Sequence, residues 1–394
     1  MGHIQEAVGL RGKDEIGVYA HIPFCLRKCP YCAFNSVEAP PAGPPEERYV
    51  DSLAKELESS VQSEGISARA ATVYFGGGTP SIFSPNAIGR FMETVEILLG
   101  APREVTIEAN PDAISPQKLR GYMGAGVNRL SIGFQSLEDS ALIALGRRHT
   151  ASASLAAFQW ARDAGFRNIG IDLIFATPGQ EIGQWEETLS RAAALRPEHI
   201  SLYGMTVEEG TPFYRKYGPG KLGLPGEEAE AEMYLKAIEV LKSAGYRHYE
   251  VSNFAIPGFE SAHNTLYWKG AGYIGVGAGA HSYLPGPGWG KRWWNISGAE
   301  DYMRVVGEGS PPIDGSEELT RREAMFEAVM LGLRMVEEGI DGSRFRERFG
   351  LSTIEALGGL DTLVRDGFVE KKGEDISLTQ RGLLLLNEVA VRII

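Results

Sequence analysis

The chain has 394 residues, 43% of them hydrophobic and 23% charged, enough for two or three domains or one large α/β barrel with additions. Lys and Arg number 39 against 51 Asp and Glu, a formal net charge of −12, which argues against a nucleic-acid binder working through a basic surface and against docking on anionic membranes. Glycine stands out at 49 residues, much of it in the short runs Gly76-Gly77-Gly78 and Gly270 to Gly279, where backbone can approach a ligand closely.

Residues 1–15 form an N-terminal segment without the apolar stretch of a targeting sequence. No uncharged apolar run of about 20 residues follows that could form a helix across a bilayer, so the sequence reads as cytoplasmic. From residue 16 to 240, short β-branched runs alternate with helical patterns. Strands are predicted at Val18–Ile22, Thr72–Phe75, Glu104–Glu108, Arg129–Gly133, Ile169–Ile174 and His199–Tyr203, with helices such as Glu46–Glu64, Pro85–Leu99, Ser152–Ala164 and Ile182–Ala194 between them. Six strand–helix units predict an α/β fold with a parallel sheet, a partial (β/α)6 TIM-like barrel. The strands are nearly continuous apolar runs, as expected where both faces are covered.

Directly after the first strand come the chain's three cysteines, Cys25, Cys29 and Cys32, spaced C-x3-C-x2-C. An odd number in one loop is a poor disulfide framework. Three thiolates complete a structural zinc site only with a fourth partner such as His21, whereas they suit a 4Fe–4S cluster with one iron left open. Gly76-Gly-Gly-Thr-Pro80 follows strand two, Glu108-Ala-Asn110 ends strand three, Gln135 ends strand four, Asp172 lies in strand five and Tyr203 to Thr206 end strand six. These polar features gather mostly at the C-terminal end of the sheet, where barrel active sites are built.

Another amphipathic helix spans Glu227–Ala244. An extension over residues 241–310 then carries Tyr249-Glu-Val-Ser-Asn-Phe254, His263-Asn-Thr-Leu-Tyr-Trp268 and the glycine-rich stretch leading to His281. A boundary falls near Gly309-Ser-Pro-Pro-Ile313. Residues 311–394 predict helices at Thr320–Glu337, Gly342–Phe349 and Thr353–Arg365, a hairpin over Gly367–Thr379 and a last helix at Gln380–Val391, a mostly helical, winged-helix-like domain. Its 11 Lys/Arg against 16 Asp/Glu disfavour nucleic-acid binding and favour packing or partner docking.

Tyr19-Ala-His-Ile-Pro-Phe-Cys25 with Cys29-Pro-Tyr-Cys32 resembles the radical S-adenosylmethionine (SAM) superfamily. Together with Gly76-Gly-Gly-Thr-Pro80 it resembles the branch of oxygen-independent coproporphyrinogen III oxidase and its relatives, over nearly the whole chain. The resemblance implies a 4Fe–4S cluster on Cys25, Cys29 and Cys32, whose open iron takes the amino and carboxylate groups of SAM. It implies a SAM site lined by Tyr19, Tyr31, Gly76, Gly77, Gly78, Thr79, Glu108, Gln135, Arg147 and Asp172. Arg147 is the natural carboxylate partner, since its planar fork fits a carboxylate.

Two features divide the branch. The coproporphyrinogen oxidases carry a fourth cysteine two residues after the third, and here that position is Phe34. The H-N-x-x-Y-W pattern at His263 resembles the heme-binding motif of HemW-type heme chaperones, which have three cluster cysteines. That resemblance implies heme as a ligand, held by His263, Tyr267 and Trp268, an acceptor protein for the heme, an electron donor, a homodimer, and transient membrane association through an acceptor. His is a standard axial ligand and flanking aromatics stack on porphyrin; Trp293, Trp294 and His281 are secondary candidates. From the residues alone, His263 and Asn264 equally cap a local turn while Tyr267 and Trp268 fill the core. The rival activity is SAM-dependent oxidative decarboxylation by an oxygen-independent coproporphyrinogen III dehydrogenase.

Overall fold

The computed structural model describes residues 15–218, 223–286 and 288–393; nearly all of the 1–15 segment lies outside them. One twelve-stranded sheet organises the molecule. Its first six strands are β1 (Glu15–Ile22), β2 (Arg69–Gly77), β3 (Glu104–Ala109), β4 (Arg129–Gln135), β5 (Ile169–Phe175) and β6 (His199–Gly204). They pair in parallel and in chain order, as five successive strand–helix–strand crossovers produce. All six predicted strands are present and the partial barrel is the observed architecture.

The sheet runs on past both ends of the barrel, which the sequence reading did not anticipate. Beyond β6 lie β7 (Arg247–Glu250) and β8 (Asn253–Ala255), with β8 antiparallel to β6 and β7 at the edge. Beyond β1 lie β9 (Tyr273–Val276), parallel to it, and then β10 (His281–Leu284), β11 (Lys291–Asn295) and β12 (Ile313–Glu318), each antiparallel to its neighbour. The glycine-rich stretch is therefore sheet rather than loop over much of its length.

Helices α1 (Glu46–Ser63), α2 (Pro85–Leu99), α3 (Pro116–Gly124), α4 (Asp139–Ala144), α5 (Ala151–Ala164) and α6 (Ile182–Ala194) cover the outer face. Their starts are chemically marked. The Ser84 hydroxyl accepts from the Ala87 amide at 3.2 Å with Pro85 in the first turn, and Glu181 with Gln184 forms a capping box. The apolar runs of β1–β6 and the inner stripes of these helices form one core that includes Val18, Phe75, Ile107, Ile132, Leu173 and Trp185. After α7 (Pro212–Tyr217), α8 (Glu227–Ser243), α9 (Ala262–Trp268) and α10 (Ala299–Gly307), a second core around Val329, Leu333, Ile340 and Ile376 holds the C-terminal helices and the hairpin Val369–Lys372/Asp375–Leu378. Two predicted helices there are broken. Thr353–Arg365 divides into Thr353–Ala356 and Leu360–Arg365, because Gly359 adopts φ +63°, and Gln380–Val391 divides at Leu385. The helix predicted to reach Glu337 stops at Gly332. Among the described residues no helix is long and apolar enough to cross a membrane.

Candidate functional site

The cysteine loop is pinned at both ends. Short strands Phe24–Cys25 and Val37–Glu38 pair in parallel, and Lys28 Nζ donates to the carbonyls of Phe34 (3.0 Å) and Ser36 (2.9 Å). The Phe213 amide at the start of α7 donates to the Pro30 carbonyl at 3.0 Å. Cys25 is buried, while Cys29 and Cys32 are partly exposed. Each sulfur has a polar neighbour: Thr79 Oγ1 donates to Cys25 Sγ (3.5 Å), Arg147 Nη1 donates to Cys29 Sγ (3.4 Å), and Ser36 Oγ lies 3.9 Å from Cys32 Sγ. Donors aimed at sulfur favour thiolates. Burial pushes the Cys25 thiol up and the Thr79 hydroxyl opposes that. Among the described residues no three ligand-type side chains converge as they would on one ion, and His21 has both ring nitrogens engaged, by the Tyr19 hydroxyl (3.0 Å) and the Asn35 carbonyl (2.8 Å). Cys25 and Cys29 with donors aimed at them, and Cys32 beside Ser36, are a thiol set whose chemistry fits an iron–sulfur cluster.

A residue absent from the predicted site ties the loop to the barrel. Asn110, just past β3, donates from Nδ2 to Thr79 Oγ1 (3.0 Å) and accepts at Oδ1 from Arg147 Nη2 (2.7 Å). Cys25, Thr79, Asn110, Arg147 and Cys29 thus form one hydrogen-bonded arc across the strand ends. The signal was present in Glu108-Ala-Asn110 at a strand terminus, where a polar residue facing a loop has a partner to meet.

The glycine run serves a purpose besides ligand approach. A Cβ on Gly77, which has φ +117°, would lie 2.6 Å from the His21 ring, and one on Gly78 would lie 2.8 Å from backbone atoms of Pro23 and Phe24. The loop passes against the cysteine loop at contact distance, held by Gly78 N to Ile22 O and Thr79 N to Phe24 O, both 2.9 Å.

The remaining predicted SAM residues line the lumen at the same end. Glu108 accepts from the Tyr74 hydroxyl (2.9 Å) and the Gly77 amide (3.2 Å); burial, then Asp172, raises its carboxyl to about 7. Asp172 accepts from Ser131 Oγ at 3.1 Å and burial raises it too. Gln135 has φ +64°, an uncommon conformation for a residue with a side chain, and such strain concentrates at functional sites. Tyr31 packs on Phe213 with ring centres 6.2 Å apart, and Tyr19 packs on Tyr74 at 6.2 Å.

The predicted heme residues are elsewhere. His263 on α9 is 1% exposed. Its Nδ1 meets Thr72 Oγ1 at 2.7 Å and its Nε2 meets the Tyr267 hydroxyl at 2.8 Å. The Glu104 carboxylate caps α9 by accepting from the Ala262 (3.1 Å) and His263 (3.0 Å) amides. Glu104 opens β3 and pairs with Thr72 in the N-terminal half of β2, five residues before Gly77, so the motif plugs the barrel opposite the cysteines. Burial, then Arg129, drives the imidazole down to about 3, so it is neutral, yet neither nitrogen is open to iron. Trp268 lies under Arg334, whose guanidinium is 4.5 Å from a ring centre. Neither ring nitrogen of His263 is free in this structure, and the local-packing alternative is met only in part: the cap of α9 is Ser261 rather than His263 or Asn264, and Tyr267 and Trp268 are half-buried.

A model of the radical SAM superfamily matches residues 19–192, and one of the HemN C-terminal domain matches residues 319–385. The chain is 36% identical over 376 residues to the heme chaperone HemW of Bacillus subtilis (strain 168), covering 94% of this chain and 97% of that protein. It is 35% identical over 387 residues to the bovine mitochondrial radical S-adenosyl methionine domain-containing protein 1, covering 97% and 84%. It superposes on coproporphyrinogen III oxidase (HemN) of Escherichia coli, a radical SAM enzyme, with a TM-score of 0.81 at 23% identity, over 97% of this chain and 91% of that one, a likeness of fold.

Proposed function

The chain belongs to the HemW family within the radical SAM superfamily, and on that premise we propose that it is a heme chaperone, binding heme and passing it to an acceptor protein. The family implies a 4Fe–4S cluster and SAM. The observation that carries the heme reading is the end-to-end likeness to HemW of Bacillus subtilis. Phe34 supports it, because the position where coproporphyrinogen oxidases carry a fourth cysteine is a phenyl ring 71% exposed.

Cys25, Cys29 and Cys32 hold the cluster. A cluster held there would supply reducing electrons to a SAM molecule on its open iron. Arg147 and the polar ends of β2–β5 would orient SAM: the guanidinium would pair with its carboxylate, the carbonyls of Gly76–Gly78 would accept from its ammonium, and Glu108, Gln135 and Asp172 would bond ribose and ammonium. Thr79 fixes the glycine loop, and Tyr19 and Tyr31 shield the cluster and adenine. The acceptor, an electron donor, a homodimer and transient membrane association through the acceptor complete the reading, in a cytoplasmic setting where three free thiols stay reduced. Residues 311–394 serve packing or partner docking.

The test is an anaerobic heme titration of the reconstituted protein followed in the Soret region, beside a coproporphyrinogen III turnover assay with SAM and reductant. Stoichiometric heme binding without turnover is expected. Decarboxylation without heme binding transfers the reading to the dehydrogenase.

A further inference from the structure

The cysteine loop holds large apolar side chains out in solvent. Leu26 is 47% exposed, Phe34 71% and Val37 46%, and none of the three packs into a core of the described residues. Lys28 joins the two arms of the loop that carry them. Its Nζ donates to the carbonyls of Phe34 and Ser36, and its backbone amide donates to Glu38 Oε1 at 3.2 Å. The three side chains therefore lie on one short, stitched segment. Exposed apolar groups gathered beside polar ones mark a surface that meets another protein.

Next to Leu26 this surface is basic. Leu26, Arg27, Cys29, Arg147, Arg148 and Asp112 line one cleft, with three arginines against one carboxylate in a chain of net charge −12. Arg147 turns inward, onto Cys29 Sγ and Asn110. Arg27 and Arg148 are exposed, and neither has an ion-pair partner among the described residues. Cys29, itself partly exposed, is a wall of the cleft. The apolar rim and the two unpaired charges thus surround the place where a cluster thiol reaches the surface. That position selects the partner. A protein that only receives heme has no need to approach a cluster thiol, whereas an electron carrier must come close to one. The arginines select its sign, because unpaired charge steers a partner of opposite charge. Redox encounters also bury small interfaces, of the size one loop can offer.

We propose that this cleft and the exposed arms of the cysteine loop are the docking surface for an acidic one-electron carrier protein, with Arg27 and Arg148 steering it and Leu26 and Phe34 seating it. The proposal places the electron donor of the reading above, and it rests on the cluster assignment rather than on heme. In the encounter one electron leaves the carrier and enters the oxidised cluster from the Cys29 side. With a flavin carrier, the anionic hydroquinone becomes the neutral semiquinone, the cluster gains that electron, and no proton moves.

The experiment follows bleaching of the cluster's visible absorbance in the reconstituted full chain by stopped flow. Flavodoxin hydroquinone is the protein probe and photoreduced deazaflavin the small-molecule control. Reduction of wild type by flavodoxin is expected to slow steeply as salt is raised. The Arg27→Glu, Arg148→Glu double variant is expected to be reduced at least tenfold more slowly at low salt and to lose the salt dependence. The Leu26→Ser, Phe34→Ser double variant is expected to be slowed with the salt dependence kept. Both are expected to match wild type in iron content and in rate with deazaflavin. A charge-reversed protein that flavodoxin reduces at the wild-type rate overturns the surface. Equal slowing with deazaflavin also overturns it and makes the arginines supports of the cluster. A wild-type rate that ignores salt overturns it without any variant. A wild type that assembles no cluster overturns the cluster assignment, and the surface with it, before any donor is added.

Discussion

Asn110 holds Arg147 in place: its side-chain oxygen accepts from Arg147 Nη2 at 2.7 Å, while Nη1 of the same guanidinium donates to Cys29 at 3.4 Å. Asn110 Nδ2 in turn donates to Thr79, whose hydroxyl faces Cys25. One amide therefore sets the geometry between a cluster thiol and the residue expected to receive the SAM carboxylate. Asn110→Ala leaves Arg147 Nη2 with the Gly133 carbonyl at 3.2 Å as its remaining partner, a loss of about 1 kcal/mol for one hydrogen bond. SAM affinity is expected to fall by about that free energy while iron and sulfide content stay at the wild-type level. Calorimetry of SAM binding with an iron assay on the same sample checks this, and iron loss in step with SAM affinity would make Asn110 a support of the cysteine loop itself.

Cys29→Ser is expected to abolish cluster assembly. A hydroxyl is a poor replacement for a thiolate on iron, and Cys29 also receives the Arg147 donor. Iron content and the visible charge-transfer absorbance after anaerobic reconstitution are the readout; survival of both would remove Cys29 from the ligand set.

Gly78→Ala is expected to lower stability before any cofactor is bound. The added methyl would lie 2.8 Å from backbone atoms of Pro23 and Phe24, and those atoms cannot yield as a flexible side chain can. Overpacking of this kind costs about 1–3 kcal/mol. Thermal unfolding of the cluster-free protein measures it, and an unchanged midpoint would show that the glycine run is needed for the ligand alone.

This glycine run shows where the sequence was legible and where it was not. The six parallel strands could be read because each is a β-branched run buried on both faces, a local property. The cysteine loop could be read because metal chemistry fixes its spacing. Gly77 and Gly78 were legible as close-approach glycines, but the groups they approach, His21 and the Pro23–Phe24 backbone, lie more than 50 residues earlier in the chain. His263 shows the same limit more sharply. Its partner Thr72 is 191 positions away, so no local pattern distinguishes a ligand from a floor plug. Strands β9 and β12 were missed because Gly275 and Gly315 weaken the strand signal, and Gly275 answers to a neighbouring strand: a Cβ there would fall 2.0 Å from the His281 carbonyl oxygen; β10 and β11 are runs of only four and five residues.

The buried Glu56 makes stability depend on pH. It lies on α1, 4% exposed, and accepts from the Tyr302 hydroxyl (2.6 Å), the Gly277 amide (2.8 Å) and Asn295 Nδ2, joining α1 to β9, β11 and α10. Burial lifts its carboxyl from 4.5 to about 7 against the pull of these donors. The folded chain then keeps a proton that the unfolded chain releases. Its contribution is full below pH 4.5 and is lost as pH rises through about 7, a difference of roughly 3 kcal/mol by linkage. Glu56→Gln removes the titration, and the unpartnered Asn295 Oδ1 can turn to accept from the new amide. Denaturant unfolding at pH 5.5 and 8.0 is expected to show wild type losing about 2 kcal/mol more than the variant over that interval. Parallel pH profiles would mean that the three donors already hold Glu56 ionised in the folded protein.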